Sequence, residues 1–433
     1  MIFVELKNFK LIEIKLILFF SFFAGCFSDR KGVSPQRNEF SFPTAALITP
    51  DQKYLLVANS NFDLAWESGT VVVIDLEKVE SIVSGCPEEG CQPLEETSDF
   101  ILEDETVLIG SYASFMSLAP GGKRIYITIR GNNSLTTINL NEDGESGRKI
   151  YCFKEGDTSR RCDSNHVVTY GTTSLPPDPH ALNSELDGWV FVSSLSTNGV
   201  TVFKVDTEND IERDLPPKLL YVDNSFPTGV SWIKKHPKVG LFYATSRTSS
   251  DVITFRFVWD NVDYENSPRF YFGYPIKMSV LSSGNDARAI DFTEDGNFAF
   301  VTNRSPNSLV IVDTSIGPNG WPANNVIGVV GLDQGPSMVK VWQPPGDDRT
   351  FVYATCYNAD RVYVIDPFTR AKLDTIATGD GPHVFVTDSL REMGYLVNFI
   401  ESTISVIDIN PESPMFNKVR ATLGKPKRVN AGN

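Results

Sequence analysis

The chain has four histidines, and two of them stand in the same setting, each after a proline at the start of a short strand-like segment: Pro179-His180 and Pro382-His383. An imidazole changes charge near neutral pH and both donates and accepts hydrogen bonds. Held together, such a pair would bind an anionic or polar small ligand, or polarise a carbonyl and position a water. Five further segments open in the same way, with Thr44, Ser114, Thr228, Arg288 and Ser337 in the equivalent place. Two imidazoles, one guanidinium and four hydroxyls suit anion binding better than catalysis. No carboxylate belongs to the set. Asp178, Asp286 and Asp380 lie within two or three residues of it and would have to turn inward to act as general acid or base.

The elements that would bring these residues together repeat. Asp295 to Asp313 reads as a turn at Asp295-Gly296, an apolar run Phe298 to Val301, a polar corner Thr302 to Asn307, and a second apolar run Leu309 to Val312. That is the grammar of two antiparallel strands. It recurs at Tyr54 to Leu76, Arg124 to Leu140, Trp189 to Asp206, Leu241 to Phe257, Phe351 to Pro367 and Gly394 to Ile409, seven copies in all. A hairpin repeating at intervals of about 50 residues cannot bury its own faces, so the copies must stack. The VTN-then-VIVD pattern resembles the YVTN-type β-propeller repeat from about Ser41 to Gly424. A short segment before each hairpin and an outer one after it (ETVLIG, HVVTYG, KLLYVD, IKMSVL, NVIGVV, KLDTIA, NKVRATLG) complete seven four-stranded antiparallel blades. The expected fold is an all-β seven-bladed propeller over residues 41–425, whose last blade owns its fourth strand.

In propellers the inner strands begin at the mouth of the central channel, so the seven residues would converge on one polar ring there. The Pro-His pair also resembles the opening of YVTN repeats, which leaves a structural reading open: the imidazoles would then bond a neighbouring blade. The loop NFDLAWES, with Phe62, Leu64 and Trp66, would form a lid over the ring or pack against its neighbour. The insertion WDNVDYENSPRFYFGYP, with Trp259, Tyr264, Phe270, Tyr271, Phe272 and Tyr274, would be a contact surface or a satellite core. Long connections between third and fourth strands (residues 77–100, 141–165 and 259–273) are expected on the face opposite the ring.

A net charge of −15 argues against a nucleic-acid partner. Lys7, Lys10 and Lys15 precede the apolar run Leu16 to Cys26, too short for the ~20 residues that span a bilayer and arranged like an export signal. Phe23-Ala24-Gly25-Cys26 resembles the bacterial lipobox, which implies a signal peptide over 1–25, diacylation of Cys26, a membrane partner through that lipid, and a place in the bacterial cell envelope at the outer membrane. Residues 27–40 then read as a flexible tether and 426–433 as a basic solvated tail.

In an oxidising compartment Cys86, Cys91, Cys152 and Cys162 read as disulfides inside long loops. Pairing within each loop and pairing across the two loops both remain open. Cys356 reads as a buried thiol. No EF-hand loop, Gly-rich phosphate loop, GxSxG elbow or CxxCH site is present, so neither cofactor nor metal is expected. The leading expectation is a lipid-anchored, non-catalytic module binding a protein or small polar ligand. The alternative is a lactonase-type hydrolase, because propellers related to the YVTN class include sugar-lactone hydrolases, with His180, Arg288 and His383 as the working groups. An electron-transfer accessory role has no motif behind it.

Overall fold

The computed structural model describes residues 32–141, 148–154, 156–169, 175–206, 211, 215–260 and 272–427. The expected signal segment, Cys26 and the last six residues lie outside that range. Seven antiparallel sheets follow one another, each with its strands in chain order. The inner strands are Pro43–Ile48, Ala113–Leu118, Pro179–Asn183, Val230–Lys235, Asn285–Phe292, Pro336–Trp342 and Pro382–Asp388. Second strands such as Phe351–Cys356 are buried along their whole length, because a blade is covered on both faces by its neighbours. That is why they read as unbroken apolar runs rather than alternating ones.

Seven hydrophobic cores fill the seven gaps between neighbouring blades. The core between blades 7 and 1 includes Leu55, Val57, Val72, Tyr395, Val397, Ile404 and Leu423, so the ring is closed by the same apolar contact that joins every other pair. Turn chemistry repeats as well. Thr293 Oγ1 donates to Asp295 Oδ1 at 2.6 Å, and Asp295 Oδ1 accepts from Asn297 N at 2.9 Å. Thr49 and Asp51 build the same turn in blade 1.

Blade 7 owns its outer strand, Val419–Leu423, and the ring has a second latch that the sequence did not suggest. The insertion after the third strand of blade 1 begins with a helix, Leu76–Ser84, capped by Asp75, whose Oδ1 accepts from Glu77 N and Lys78 N at 3.1 and 3.2 Å. It then runs parallel to the outer strand of blade 7. Cys91 N donates to Arg420 O (2.9 Å), Leu94 N to Thr422 O (2.8 Å), and Gly424 N to Leu94 O (3.0 Å). Arg420 returns two hydrogen bonds, to the carbonyls of Cys86 and Pro87. The blade-2 insertion repeats the device one blade on, with Leu108 N donating to Arg160 O (2.8 Å) and Cys162 N to Leu108 O (3.0 Å). Each of these insertions therefore covers the free edge of the preceding blade rather than decorating a face. Each is stapled within itself, Cys86–Cys91 and Cys152–Cys162, while Cys356 is free and buried.

Other differences have local causes. The outer strand expected for blade 2 is split into Ile150–Tyr151 and Val167–Val168, because the stapled insertion loops out between them. The described part of the tether segment lies against the propeller: Thr97 Oγ1 donates to Asn38 O, Thr106 Oγ1 to Arg37 O at 2.8 Å, and Phe40 is buried in the 7/1 core. In the basic C-terminal segment, Lys425 pairs with Glu95 at 3.8 Å and Lys427 N donates to Glu401 O. Of the blade-four aromatic stretch, residues 261–271 are outside the described range, and Tyr274 is exposed on the outer strand Phe272–Ser282.

Replacing Cys86 and Cys91 together by serine is expected to lower the unfolding free energy by about 2 kcal/mol, the entropy of a loop this short. Urea unfolding without reductant would measure it. Unchanged stability would mean that the seam holds without its staple.

Candidate functional site

Two backbone devices build the channel mouth, and both occur in all seven blades. At the head of each inner strand stands a residue in the left-handed region, with φ between +50° and +77°: Phe42, Tyr112, Asp178, Gly229, Asp286, Gly335 and Gly381. Two residues after it the pairing register slips, and the residue there left out of the ladder is turned toward the axis. The bulged residues are Thr44, Ser114, His180, Ser231, Arg288, Ser337 and His383. The sequence ring was therefore in register in six blades. In blade 4 the position belongs to Ser231, not Thr228, because Pro227 is not the equivalent of the strand-opening prolines. Thr228 lies in the loop ahead, its carbonyl accepting from Ser246 Oγ and Thr248 Oγ1. At both histidines the register slip spans two residues rather than one.

The ring members have different employments. Thr44 Oγ1 donates to Ala113 O (2.8 Å), Ser231 Oγ to Ala287 O (2.6 Å) and Ser337 Oγ to Pro382 O (3.3 Å), each tying its blade to the next. Arg288 lies against Asp286, Nη2 to Oδ2 at 2.8 Å and Nε to Oδ1 at 2.7 Å. His180 is held from both sides, Nδ1 by Ser114 Oγ and Nε2 by Arg247 Nη2 at 3.0 Å. A guanidinium only donates, so Nε2 is the acceptor and the proton sits on Nδ1, directed at Ser114. His180 is thus a strut for Arg247. Among the described residues His383, its counterpart, has no hydrogen-bond partner on its buried Nδ1. The other two histidines are structural: His166 Nδ1 bonds Asp163 Oδ1 at 2.9 Å, and His236 Nε2 donates to Gly296 O at 3.0 Å.

The end of each second strand supplies another ring: Ser60, Arg130, Leu195, Arg247, Tyr357 and Phe399 directly after the strand and, in blade 5, Arg304 next to its last residue. Its three arginines escaped the sequence analysis, although their signal was available, since each follows a YVTN-like tetrad, as in YITIR, YATSR and VTNR. Arg130 pairs with Asp178. Arg304 Nε donates to Pro336 O at 3.0 Å. Among the described residues no carboxylate lies within ion-pair distance of Arg247 or Arg304, and the buried Nε of Arg247 has no partner.

Of the four guanidiniums at this end, Arg130 and Arg288 therefore pair with carboxylates, while burial and then the neighbouring Asp360 raise the pKa of Asp380. Burial, then the neighbouring Arg288, Arg130 and Arg304, push Arg247 down to about 9. Burial, followed by Arg247, Arg304 and Arg288, holds His383 at about 4, and burial with Arg247 and Arg130 keeps His180 well below its ordinary value. Both imidazoles are neutral at pH 7. Beneath them Phe115 and Trp232, on the inner strands of blades 2 and 4, meet edge to face at 4.5 Å and floor the channel, with the Phe115 ring 6.2 Å from His180. At the opposite end the charges are matched: Lys234 sits 2.8 Å from Glu185, and Lys234 and Lys340 flank Asp291. Among the described residues no group of three His, Cys, Asp or Glu side chains is placed to hold a metal ion.

Fold and site together define a seven-bladed β-propeller with a floored, arginine-rich channel mouth. No protein-family model matches the sequence, and no curated protein matches it. Solved structures do. A chain of Kuenenia stuttgartiensis hydrazine synthase is 13% identical with a TM-score of 0.56, the match covering 90% of this chain and 99% of that one. The periplasmic gluconolactonase of Pseudomonas aeruginosa is 16% identical with a TM-score of 0.54, covering 79% and 87%. A Bacteroides uniformis protein provisionally named a 6-phosphogluconolactonase is 14% identical at the same TM-score and coverage. At these identities the likeness is one of fold.

The depressed imidazoles fix a pH dependence. The unfolded chain takes up these protons near pH 6.5, while folded His383 stays neutral down to about pH 4. Stability fully present above pH 6.5 is therefore lost as pH falls toward 4, by on the order of 3 kcal/mol for His383 alone, and the loss levels off below that. Urea unfolding at pH 7, 5.5 and 4.5 is expected to show the decline, and His383→Asn to reduce its slope. Equal slopes would mean that His383 is not held neutral.

Proposed function

We propose that the channel mouth binds a small anion and hydrolyses an anionic lactone. The observation that carries this is the pair of guanidiniums without carboxylate partners, Arg247 and Arg304, beside an unengaged neutral imidazole, His383. In such a site the anionic substituent of the substrate would lie among the arginines, and the free Nε–H of Arg247 would face the lactone carbonyl oxygen as charge develops there. His383 would take a proton from the attacking water. The water oxygen bonds the carbonyl carbon, the ring C–O bond breaks, and the proton passes to the departing alkoxide, leaving a hydroxy acid. An imidazole with a pKa near 4 is a weak base in the empty site, but the same arginines that depress it are neutralised by a bound anion, so substrate binding strengthens the base. The gluconolactonase among the structural neighbours supports the chemistry only through a shared fold.

Binding without turnover is the second reading, favoured by one fact: Asp178 and Asp286 each bond an arginine, and neither bonds an imidazole. Lactone hydrolysis assays decide between the two. Lactones carrying a carboxylate or phosphate are expected to be hydrolysed with higher kcat/KM than uncharged glucono-δ-lactone, and His383→Asn to lower kcat by about 10²–10³-fold. Full activity in that variant, or anion binding with no hydrolysis above the spontaneous rate, would leave the binding reading in place.

We further propose a YVTN-type propeller lipoprotein, exported, diacylated on Cys26 and held at the outer membrane. The charged-then-apolar N-terminus and the small residues before Cys26 support this, and two intrachain disulfides agree with an oxidising compartment. Cys26→Ser is expected to move the protein from the membrane fraction to the soluble one. Unaltered membrane association would overturn the anchor.

A further inference from the structure

The mouth is divided into two arcs of unlike chemistry. Over blades 2 to 5 stand Arg130, His180, Arg247, Arg288 and Arg304. Over blades 6, 7, 1 and back to 2 runs an unbroken chain of aromatic rings. Tyr357 lies 6.2 Å from Phe399, Phe399 5.4 Å from both Phe42 and Phe62, and Phe62 5.7 Å from Tyr112. The same two backbone positions generate both arcs. The left-handed position holds Asp178 and Asp286 on one side and Phe42 and Tyr112 on the other. The end of the second strand holds three arginines on one side and Tyr357 and Phe399 on the other.

These rings are not needed to fill a core, since three blades place glycine in the left-handed position. Phe62 is 51% exposed, and its loop is pinned by Asn61, whose side chain accepts from Trp66 N and donates to Trp66 O. An exposed phenyl ring held at the centre of a cluster, at a mouth where two guanidiniums have no carboxylate partner among the described residues, is arranged for a ligand face rather than for stability. The arcs abut at both ends: Tyr112 O accepts from Arg130 N at 3.0 Å, and Tyr357 lies near enough to Arg304 for that guanidinium to oppose the rise that burial gives its phenol.

We infer that the mouth takes an amphiphilic anion: one small molecule with a carboxylate or phosphate for Arg247 and Arg304 and an aromatic ring for Phe62, Phe399 and Tyr357. The inference rests on the anion-binding part of the proposed function and narrows the substrate to an anionic lactone bearing an aromatic group, as opposed to a bare polyhydroxylated sugar lactone.

Calorimetric titration with phenyl phosphate, inorganic phosphate, benzoate and acetate tests it, the two pairs separating the phosphate headgroup from the carboxylate. Each aromatic anion is expected to bind at least tenfold tighter than its counterpart. Phe62→Ala, at an exposed site, is expected to bring that ratio near one while leaving inorganic phosphate and acetate binding as in the wild type. Arg247→Met should weaken all four. Equal affinities within both pairs, or a ratio unchanged in Phe62→Ala, would overturn the aromatic half; if Arg247→Met still weakened binding, the anion site and the lactone reading would stand. No binding of any of the four would sink both.

Discussion

Every inner strand enters the ring through a left-handed residue followed by a bulge, and that constraint decides what the channel mouth can hold. A bulge releases one side chain from the alternation that otherwise sends it to one neighbouring blade or the other. A left-handed residue costs about 1–2 kcal/mol for anything other than glycine, with aspartate among the better tolerated. Blades 4, 6 and 7 meet the constraint with glycine. Blades 1, 2, 3 and 5 carry Phe42, Tyr112, Asp178 and Asp286 there instead, and each of these four touches the mouth.

The two histidines show how far equivalence in the fold is from equivalence in chemistry. His180 and His383 occupy the same bulge on different blades, but Ser114 and Arg247 saturate the first, and the second is left without a partner on Nδ1. The difference comes from their neighbours. Blade 2, on one side of His180, offers a serine at its own bulge, and blade 4, on the other, offers Arg247 after its second strand. Around His383 the corresponding positions carry Ser337 of blade 6, which donates to Pro382 O, and Ser60 of blade 1, which donates to Phe42 O, so neither reaches the imidazole. One imidazole is thereby fixed as a support for a cation and the other stays available as a base.

Much of this was legible in the sequence. Period and turn residues gave seven blades, the outer strands and six of the seven bulge positions, because apolar runs buried on both faces carry a strong and repetitive signal. The slip at Thr228 arose from reading Pro227 as the landmark, whereas the left-handed position, occupied by Gly229, is what the backbone requires. Arg130, Arg247 and Arg304 were not legible as a set, because the corner at the end of the second strand varies from blade to blade, with serine, leucine, tyrosine and phenylalanine in the other four. The stapled insertions were recognised as long loops, but their docking on a preceding blade depends on which edge lies nearest in space, and no local pattern encodes that.

Ring closure and the aromatic arc turn out to be one event. The arc straddles the seam between the first and last blades: Phe42 belongs to the segment leading into blade 1 and its amide donates to Ser402 Oγ of blade 7, while Phe399 comes from blade 7 itself. Phe40, two residues earlier, packs against Gly424 just past the last strand, where a Cβ would approach its ring within 2.6 Å. The cationic arc lies on blades 2 to 5, whose mutual contacts do not involve the chain ends. Loosening the seam would therefore dissolve the apolar half of the mouth first, as Phe42 and Phe399 separated, and leave the arginines in place. A ring closed only by side-chain contact would leave that half subject to every local opening at the ends. The backbone hydrogen bonds from Cys91 and Leu94 to the outer strand of blade 7, with Arg420 gripping the stapled loop, oppose that opening, so a latch on the rim of the propeller sustains the aromatic face at its axis.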